Sequence, residues 1–388
     1  MTANPTRLGL SRMSPRDPHE NHRTASSLEL FFDLVFVIAV GSAASCMHHA
    51  LTENHIEQEV VGFGLLFFCI WWAWINFTWF ATSFDIDDWL YRVLTIIQMG
   101  GVIVFSTGIP AGFEGDFRLG VAGYVIMRIC MAAQWFRAAY SNPDYRATAL
   151  RYGWGILTVQ VLWVLRLLFL TEGPFSLITF LLLGVAEIAV PIFAEQKKFT
   201  PWHPHHITER YGLFTLVILG EGLLGTFNAI VEGLAETEAL HRMIAVAILA
   251  LVGTACLWWI YFWPPHHGLI TSFRKSLIYG YVHYFVFASA AAFAAGIELL
   301  VDVETGHSEL GEMGASLAIS IPISVFLLGI WFVVIRHVKD RVVDAAILGG
   351  AALVFVDTFI PFPAIWTVCV LIAVVAVLVC RNKSVETA

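Results

Sequence analysis

The residues best able to do chemistry in this sequence are charges set inside apolar runs: Arg128, Arg166, Glu187, Glu221 and Asp357. A charge near the middle of a bilayer costs roughly 2.5–3.5 kcal/mol on insertion scales, so each needs a partner or a purpose. Arg128 and Glu221 fall near the centres of their runs, with Glu187 slightly to one side, while Arg166 and Asp357 share a second depth. Matching depths pairs Arg128 with Glu187 or Glu221, and Arg166 with Asp357 or Glu172. Two readings fit such pairs. They are ion pairs that lock helices together, or they line a polar pathway in which one carboxylate binds a cation or exchanges a proton. Glu221 is the better carrier for the second reading, because Gly220 and Gly222 flank it and small neighbours let a helix or a ligand approach.

Two further carboxylates stand at the entrance of the first run, SLELFFDLVFVIAV, as Glu29 and Asp33. Ser26-Ser27-Leu28-Glu29 fits a capping box, so Glu29 can close a helix start. Asp33 lies one turn deeper, beyond the reach of capping. Its expected partners are backbone N–H or hydroxyl groups of a neighbouring helix end, or an arginine or lysine from the same membrane side. Glu209 repeats the first acid in the second half of the chain, and Leu213 stands where the second would fall. His283, inside another run, could relay a proton or simply pack with a hydrogen bond. His203, His205, His206 and Glu209 resemble a metal set without HExxH spacing, which favours histidines at a membrane interface. Trp72 and Asn76 share one helical face among Trp71, Trp74 and Trp79, a face that either packs across a seam or lines a cavity. Asp85, Asp87 and Asp88 precede a run and complement its helix N-terminus.

The elements that must hold these groups are set by composition. The 388 residues are 58% hydrophobic and 13% charged, with a mean hydropathy of +0.74. Such a chain is a polytopic membrane protein whose solvent is the lipid bilayer. Runs long enough to cross occur at 27–50, 60–83, 91–111, 117–140, 149–171, 175–194, 209–231, 241–263, 277–300, 314–336, 342–360 and 364–380. Helices are the expected solution, giving an all-α fold of about twelve spans, because lipid offers no partner to free backbone groups. Lysines and arginines gather in the N-terminal tail, in alternate loops such as 195–210 and 336–341, and at the C-terminus. The opposite loops hold Arg118 and Arg242 but many acids, so both termini are expected on the cytoplasmic side. The halves also resemble each other: Cys69-Ile-Trp-Trp matches Cys256-Leu-Trp-Trp, and runs starting at Tyr91 and Tyr279 end in Gly108-Ile109 and Gly296-Ile297. This predicts two parallel six-helix repeats, 27–200 and 201–380, between a loose tail at 1–26 and a short one at 381–388. All six cysteines fall inside or at the end of apolar runs with no CxxC pair, which argues against disulfides and zinc. No nucleotide-binding, nucleophile-elbow or metalloprotease motif is present, so no cofactor is expected. Dispersed basic residues give nucleic-acid binding no support, and the sequence is compatible with a homo-oligomer.

The ELFFDLVFVIAV opening resembles the bacterial low-temperature-requirement protein A (LtrA) family, as do WWAWINFTWFATSFDIDDW at 71–89 and ITERYGLFTLVILGEGL at 207–223. That resemblance implies a multi-pass protein of a bacterial inner or plasma membrane linked to growth in the cold, without naming a transported species. FDLVFVIA at 32–39 is similar, more weakly, to the FSDGVFAIA opening of the lysosomal-type potassium channel family, with Phe32 and Leu34 replacing its Ser and Gly. The leading reading is a transporter of a small solute or ion, with a polar pathway between the repeats carried by Glu221, Glu187 and Arg128. In it Glu29, Asp33 and Glu209 organise the cytoplasmic entrances. A cation channel lined by spans 1 and 7 is the alternative, and a membrane-embedded enzyme or envelope assembly factor is the third.

Overall fold

In the computed structural model, residues 10–20, 23–54, 56–170, 175–236, 240–360 and 363–381 are described. Among them there is no strand, and twelve helices are long and apolar enough to cross a membrane. These are α1 (Ser27–Thr52), α2 (Ile56–Phe84), α3 (Trp89–Thr107), α4 (Arg118–Ser141), α5 (Arg146–Phe169) and α6 (Phe175–Glu195). There follow α7 (Pro204–Glu236), α8 (Leu240–Phe262), α9 (Phe273–Thr305), α10 (Gly311–Val333), α11 (Arg341–Leu353), which reaches spanning length only with the 3-10 segment that carries it on to Phe359, and α12 (Pro363–Arg381). Each apolar run of the sequence sits on one of these helices. Glu172 and residues 382–388 lie outside the described residues.

Local chemistry sets the helix ends. Ser26 and Glu29 close α1 reciprocally: the Ser26 N–H donates to Glu29 Oε2 at 2.8 Å, and the Glu29 N–H donates to Ser26 Oγ at 3.3 Å. That is the capping box read from the sequence. Asp88 caps α3 by accepting from the Tyr91 N–H at 3.0 Å, and Asp340 caps α11 by accepting from Val342 at 2.9 Å. Helix α9 ends at Gly306, whose φ of 82° is left-handed and closes the last carbonyls at little cost to a residue without Cβ. Helix α11 tightens into a 3-10 segment, Val354–Phe359, which carries Asp357.

Packing groups the chain into two units, Met1–Ala39 with Trp72–Arg210, and Val40–Trp71 with Tyr211–Ala388. Helices α1, α2 and α7 contribute residues to both. In the first unit α3 packs on α4, α4 on α5 and α5 on α6; Gly123 of α4 brings its backbone against Gly101 and Phe105 of α3. In the second, α9 packs on α8 and α10, α10 on α11, and α12 on α8 and α11. Gly296 of α9 lies against the Ala318 carbonyl of α10. Small residues at such crossings let helices approach where lipid supplies no hydrophobic drive for association.

The distribution of polarity inverts that of a water-soluble protein. Arg128, Glu187, Arg210 and Asp357 are buried, while Ile244, Ile248 and Leu251 line an exposed face of α8 and Leu181, Leu182 and Val185 one of α6. Such apolar faces fit lipid as their surroundings, with charges kept inside. The described part of the N-terminal segment, expected from its composition to be loose, is pinned to the first unit. Met13 is buried, its carbonyl accepts from Asn142 Nδ2 at 2.5 Å, the Arg16 N–H donates to the Ser83 carbonyl at 2.9 Å, and buried Arg23 donates to the Ala81 carbonyl at 2.9 Å.

Candidate functional site

The second unit contains a partly open cavity of about 260 Å³. Its walls come from the second halves of α1 and α7 and the end of α9, with Gly41, Ser45, His48, Glu221, Asn228 and Glu298 prominent. Helical periodicity explains the lining. Gly41, Ala44, Ser45 and His48 recur at one face of α1, as do Glu221, Gly225, Asn228 and Glu232 on α7. Glycines make the room: the Glu221 carboxylate occupies the space a Cβ on Gly41 would need, and the Glu298 carboxylate does the same over Gly225. Gly222 faces the Ala294 methyl, whereas Gly220 faces open space, so only one of the two glycines flanking Glu221 is needed for close approach.

Glu221 lies mid-helix, about 25 Å from the start of α7 at 1.5 Å per residue. Among the described residues it has neither a hydrogen bond nor an ion pair. Glu298 is held instead. His48 Nδ1 lies 3.3 Å from Glu298 Oε2 and His48 Nε2 lies 2.7 Å from Asp302 Oδ2, to which the Thr52 hydroxyl also donates at 2.6 Å. The described lining thus holds Glu221, Glu232 and Glu298 with histidines and an asparagine, and no lysine or arginine. A carboxylate such as Glu221, facing this space with no cation against it among the described residues, favours an entering cation or a bound proton.

The first unit contains a different constellation at the opening of α1. Arg210 of α7 is fully buried and divides its guanidinium between two acids. Nε and Nη2 donate to Asp33 at 2.9 and 2.5 Å, and Nη1 donates to Glu29 Oε1 at 2.9 Å. The Trp74 indole N–H donates to Asp33 Oδ1 at 2.7 Å, and His206 Nε2 lies 3.1 Å from Glu29 Oε1. Glu209 is peripheral, accepting from the Ala25 N–H at 3.2 Å. Both carboxylates are engaged, so the arrangement fixes α1, α2 and α7 and leaves neither of them free to exchange cargo. In the loop beside it, burial and then the charge of Glu29 push the Asp85 carboxyl up to about 6, although Arg23 and Arg16 draw it down. Burial also opposes ionisation of Asp88, but hydrogen bonds from Arg137 and the Tyr91 N–H outweigh it and hold that carboxyl below its ordinary range.

These helices, the ELFFDLVF opening and the ILGEGL segment that carries Glu221 all fall within one family model, that of the bacterial low temperature requirement A protein (LtrA), which matches residues 24–380. The chain belongs to the LtrA family. It is also 27% identical over 258 residues to an uncharacterized protein of Rhizobium meliloti (strain 1021), covering 64% of this chain and 60% of that relative's length. No solved structure matches it.

Within this LtrA-family fold the other intramembrane groups find local partners. Of the two acids offered to Arg128 by depth, the geometry selects Glu187: Arg128 Nη2 donates to Glu187 Oε2 at 2.6 Å, with both side chains buried. Trp72 joins them, its indole N–H donating to Glu187 Oε2 at 2.9 Å, whereas Asn76 turns back to donate to the Trp72 carbonyl of its own helix at 2.7 Å. Arg166 donates to the carbonyl and hydroxyl of Ser176, each at 3.0 Å. Asp357 accepts from the Ser316 and Thr367 hydroxyls at 2.7 and 2.6 Å. His283 is buried in an aromatic nest, with Nδ1 2.6 Å from the Tyr279 carbonyl and Nε2 3.2 Å from the Tyr261 hydroxyl. His203 Nε2 lies 2.8 Å from the Glu20 carbonyl, and among the described residues no group of His, Cys, Asp and Glu could hold a metal.

Sequence reasoning missed Arg210, His48, Glu298 and Asp302. Arg210 reads as one more basic loop residue, and Asp302 as one more acid of an outer loop. The available signal was spacing: His48 with Thr52, and Glu298 with Asp302, are both four-residue steps that place polar groups on one helical face.

Proposed function

We propose that this LtrA-family chain is a transport protein that moves a small cation through the cavity beside Glu221. The observation that carries the reading is a mid-helix carboxylate, unpaired among the described residues, at a cavity whose described lining has no lysine or arginine. A carboxylate kept at that depth without an ion-pair partner is most readily explained by a cargo that neutralises it. Glu221 would hold the cation or, in exchange, a proton; Glu298, already engaged by His48, would add to the field. Arg128, Glu187, Arg166 and Asp357, each held by a neighbouring side chain or backbone group, are assigned to holding helices in register. Glu29, Asp33 and Glu209 are assigned to fixing the entrance. Both termini on the cytoplasmic side, the arrangement that the lysine and arginine distribution favours, complete the proposal.

The test is flux into proteoliposomes loaded with a pH-sensitive dye and challenged with a panel of monovalent and divalent cations. Wild-type protein is expected to move at least one of them, and Glu221→Gln to abolish that flux while retaining its elution profile and melting temperature. Undiminished flux in a folded Glu221→Gln variant would remove Glu221 from the pathway.

A cation channel is the second reading, favoured because the cavity draws its walls from the first and seventh spans. Passive current that is independent of a proton gradient would select it; movement that alkalinises or acidifies the lumen selects exchange. Absence of flux for every cation would favour an enzyme or assembly role.

A further inference from the structure

Helices α4, α5 and α6 of the first unit bring polar side chains to one level that the transport reading does not use. Trp135 of α4 stacks on Tyr152 of α5 with ring centres 3.9 Å apart, which fixes the antiparallel register of that pair. Arg128 lies seven residues before Trp135 and Gln160 eight residues after Tyr152, so at 1.5 Å per residue they differ in level by about 1.5 Å. On the other side of α5, Gly155 faces Val190 of α6. By the same spacing Glu187 stands within about 3 Å of the level of Gln160.

All three side chains are buried: Gln160 is 4% exposed, and Arg128 and Glu187 are 1% exposed. Each has polar atoms without a hydrogen-bond partner among the described residues: Arg128 Nε, Glu187 Oε1, and both Oε1 and Nε2 of Gln160. Arg128 Nη2 and the Trp72 indole both serve Glu187 Oε2 instead. Toward the start of α3 the same pattern recurs: Gln134 Oε1 and the Tyr91 hydroxyl are buried without a hydrogen-bond partner among the described residues, while Gln134 Nε2 donates to Thr95 Oγ1 at 3.3 Å.

We infer that the first unit binds water at this level, held by Arg128 Nε, Gln160 and Glu187 Oε1. A second site lies at Gln134 and Tyr91. The ligand must donate to Glu187 Oε1 and to the Gln160 carbonyl while accepting from Arg128 Nε and the Gln160 amide. It must also be uncharged, because Arg128 and Glu187 already neutralise each other. Water is the smallest molecule with both capacities, and buried polar groups without protein partners are where internal water resides. A side chain as long as glutamine, placed in the interior of a membrane-spanning helix with both ends unmet, is otherwise hard to reconcile with a bundle where Leu or Met would pack as well. The inference stands independently of cation transport, which concerns the second unit.

X-ray radiolytic labelling of the full chain in lipid nanodiscs tests it, because hydroxyl radicals form where water is bound and oxidise the side chains beside it. Trp72, Trp163 and Tyr91 are the reporters, with buried Phe80 as the dry control, each normalised to its intrinsic reactivity. Bound water predicts labelling of Trp72 and Tyr91 roughly fivefold or more above Phe80, with slow exchange on dilution into H₂¹⁸O. Gln160→Met keeps the volume but removes both polar atoms; it should lower labelling at Trp72 and Trp163 several-fold and leave Tyr91 unchanged. Wild-type labelling of Trp72 and Tyr91 no higher than Phe80 would overturn the inference. So would a Gln160→Met protein that melts higher than wild type with unchanged labelling, since relief of an unhydrated amide stabilises a core.

Discussion

Replacing Arg210 by methionine removes the one cation shared by two buried carboxylates. Three charge-assisted hydrogen bonds disappear, from Nε and Nη2 to Asp33 and from Nη1 to Glu29. Among the described residues Asp33 keeps the Trp74 indole, and Glu29 keeps the Ser26 N–H and its contact with His206. Breaking a buried ion pair from one side costs about 3–5 kcal/mol, because the charge left behind is neither hydrated nor paired. Against a typical folding stability of about 5–15 kcal/mol this is a large fraction. For a cooperative unit of roughly 150–250 residues, 2–4 °C per kcal/mol gives a fall of about 6–20 °C in melting temperature. The assay is fluorescence-detected thermal unfolding in one detergent at pH 7, with wild type, Arg210→Met, Arg210→Lys and the triple variant Arg210→Met/Glu29→Gln/Asp33→Asn in parallel. Lysine should fall between wild type and methionine, since it keeps the charge but cannot fork onto Asp33. The triple variant should recover most of the loss, because it removes the stranded charges along with the guanidinium. A methionine variant melting within 2 °C of wild type (about the assay's scatter) would refute the reasoning, and so would a triple variant less stable than the single one.

Two other outcomes follow from named contacts and a third from the distribution of lysine and arginine. Gly41→Ala places a methyl where the Glu221 carboxylate now lies; cation flux should drop at least tenfold while the melting temperature moves by only a few degrees, since a flexible side chain can yield. His266, in the loop before α9, is buried, with its Nδ1 3.0 Å from the Tyr279 hydroxyl and Nε2 2.9 Å from the Tyr261 carbonyl, and burial lowers its pKa to about 4. Its folded pKa lies below the ordinary histidine value, so its stabilising contribution is complete above pH ~6.5 and is lost as pH falls toward 4, by up to about 3 kcal/mol; melting curves of His266→Gln should show a flatter acid limb than wild type. A reporter fused after the C-terminus should be active in its cytoplasm-dependent form, as with green fluorescent protein, and silent in its export-dependent form, as with alkaline phosphatase; the reverse would overturn the assigned orientation.

How much of this was legible from the residues differs from one feature to another. Hydropathy located every span, Ser26 and Glu29 announced the first cap, and Asp88 announced the cap of α3, because these depend on neighbours within one helical turn. Matching depths narrowed the partner of Arg128 to two acids, of which the fold uses Glu187, but it also offered Asp357 to Arg166, and there the fold holds Arg166 on Ser176 and Asp357 on Ser316 and Thr367. What could not be read was which helices stand side by side. Arg210 looked like loop charge until packing carried it onto Glu29 and Asp33, some 180 residues away in sequence. His48 and Asp302, 254 residues apart, meet only because α1 lies against α9 within the second unit.

The amino-acid sequence therefore determined the class of molecule and the number of its apolar helices. A bilayer is a one-dimensional solvent gradient, and a helix rising 1.5 Å per residue converts sequence position directly into depth. Tertiary structure alone decided lateral neighbours, since these depend on side-chain packing and close approach at glycines such as Gly41, Gly225 and Gly296. That difference separates Arg128, paired and closed within its unit, from Glu221, which stands at similar depth and faces a cavity.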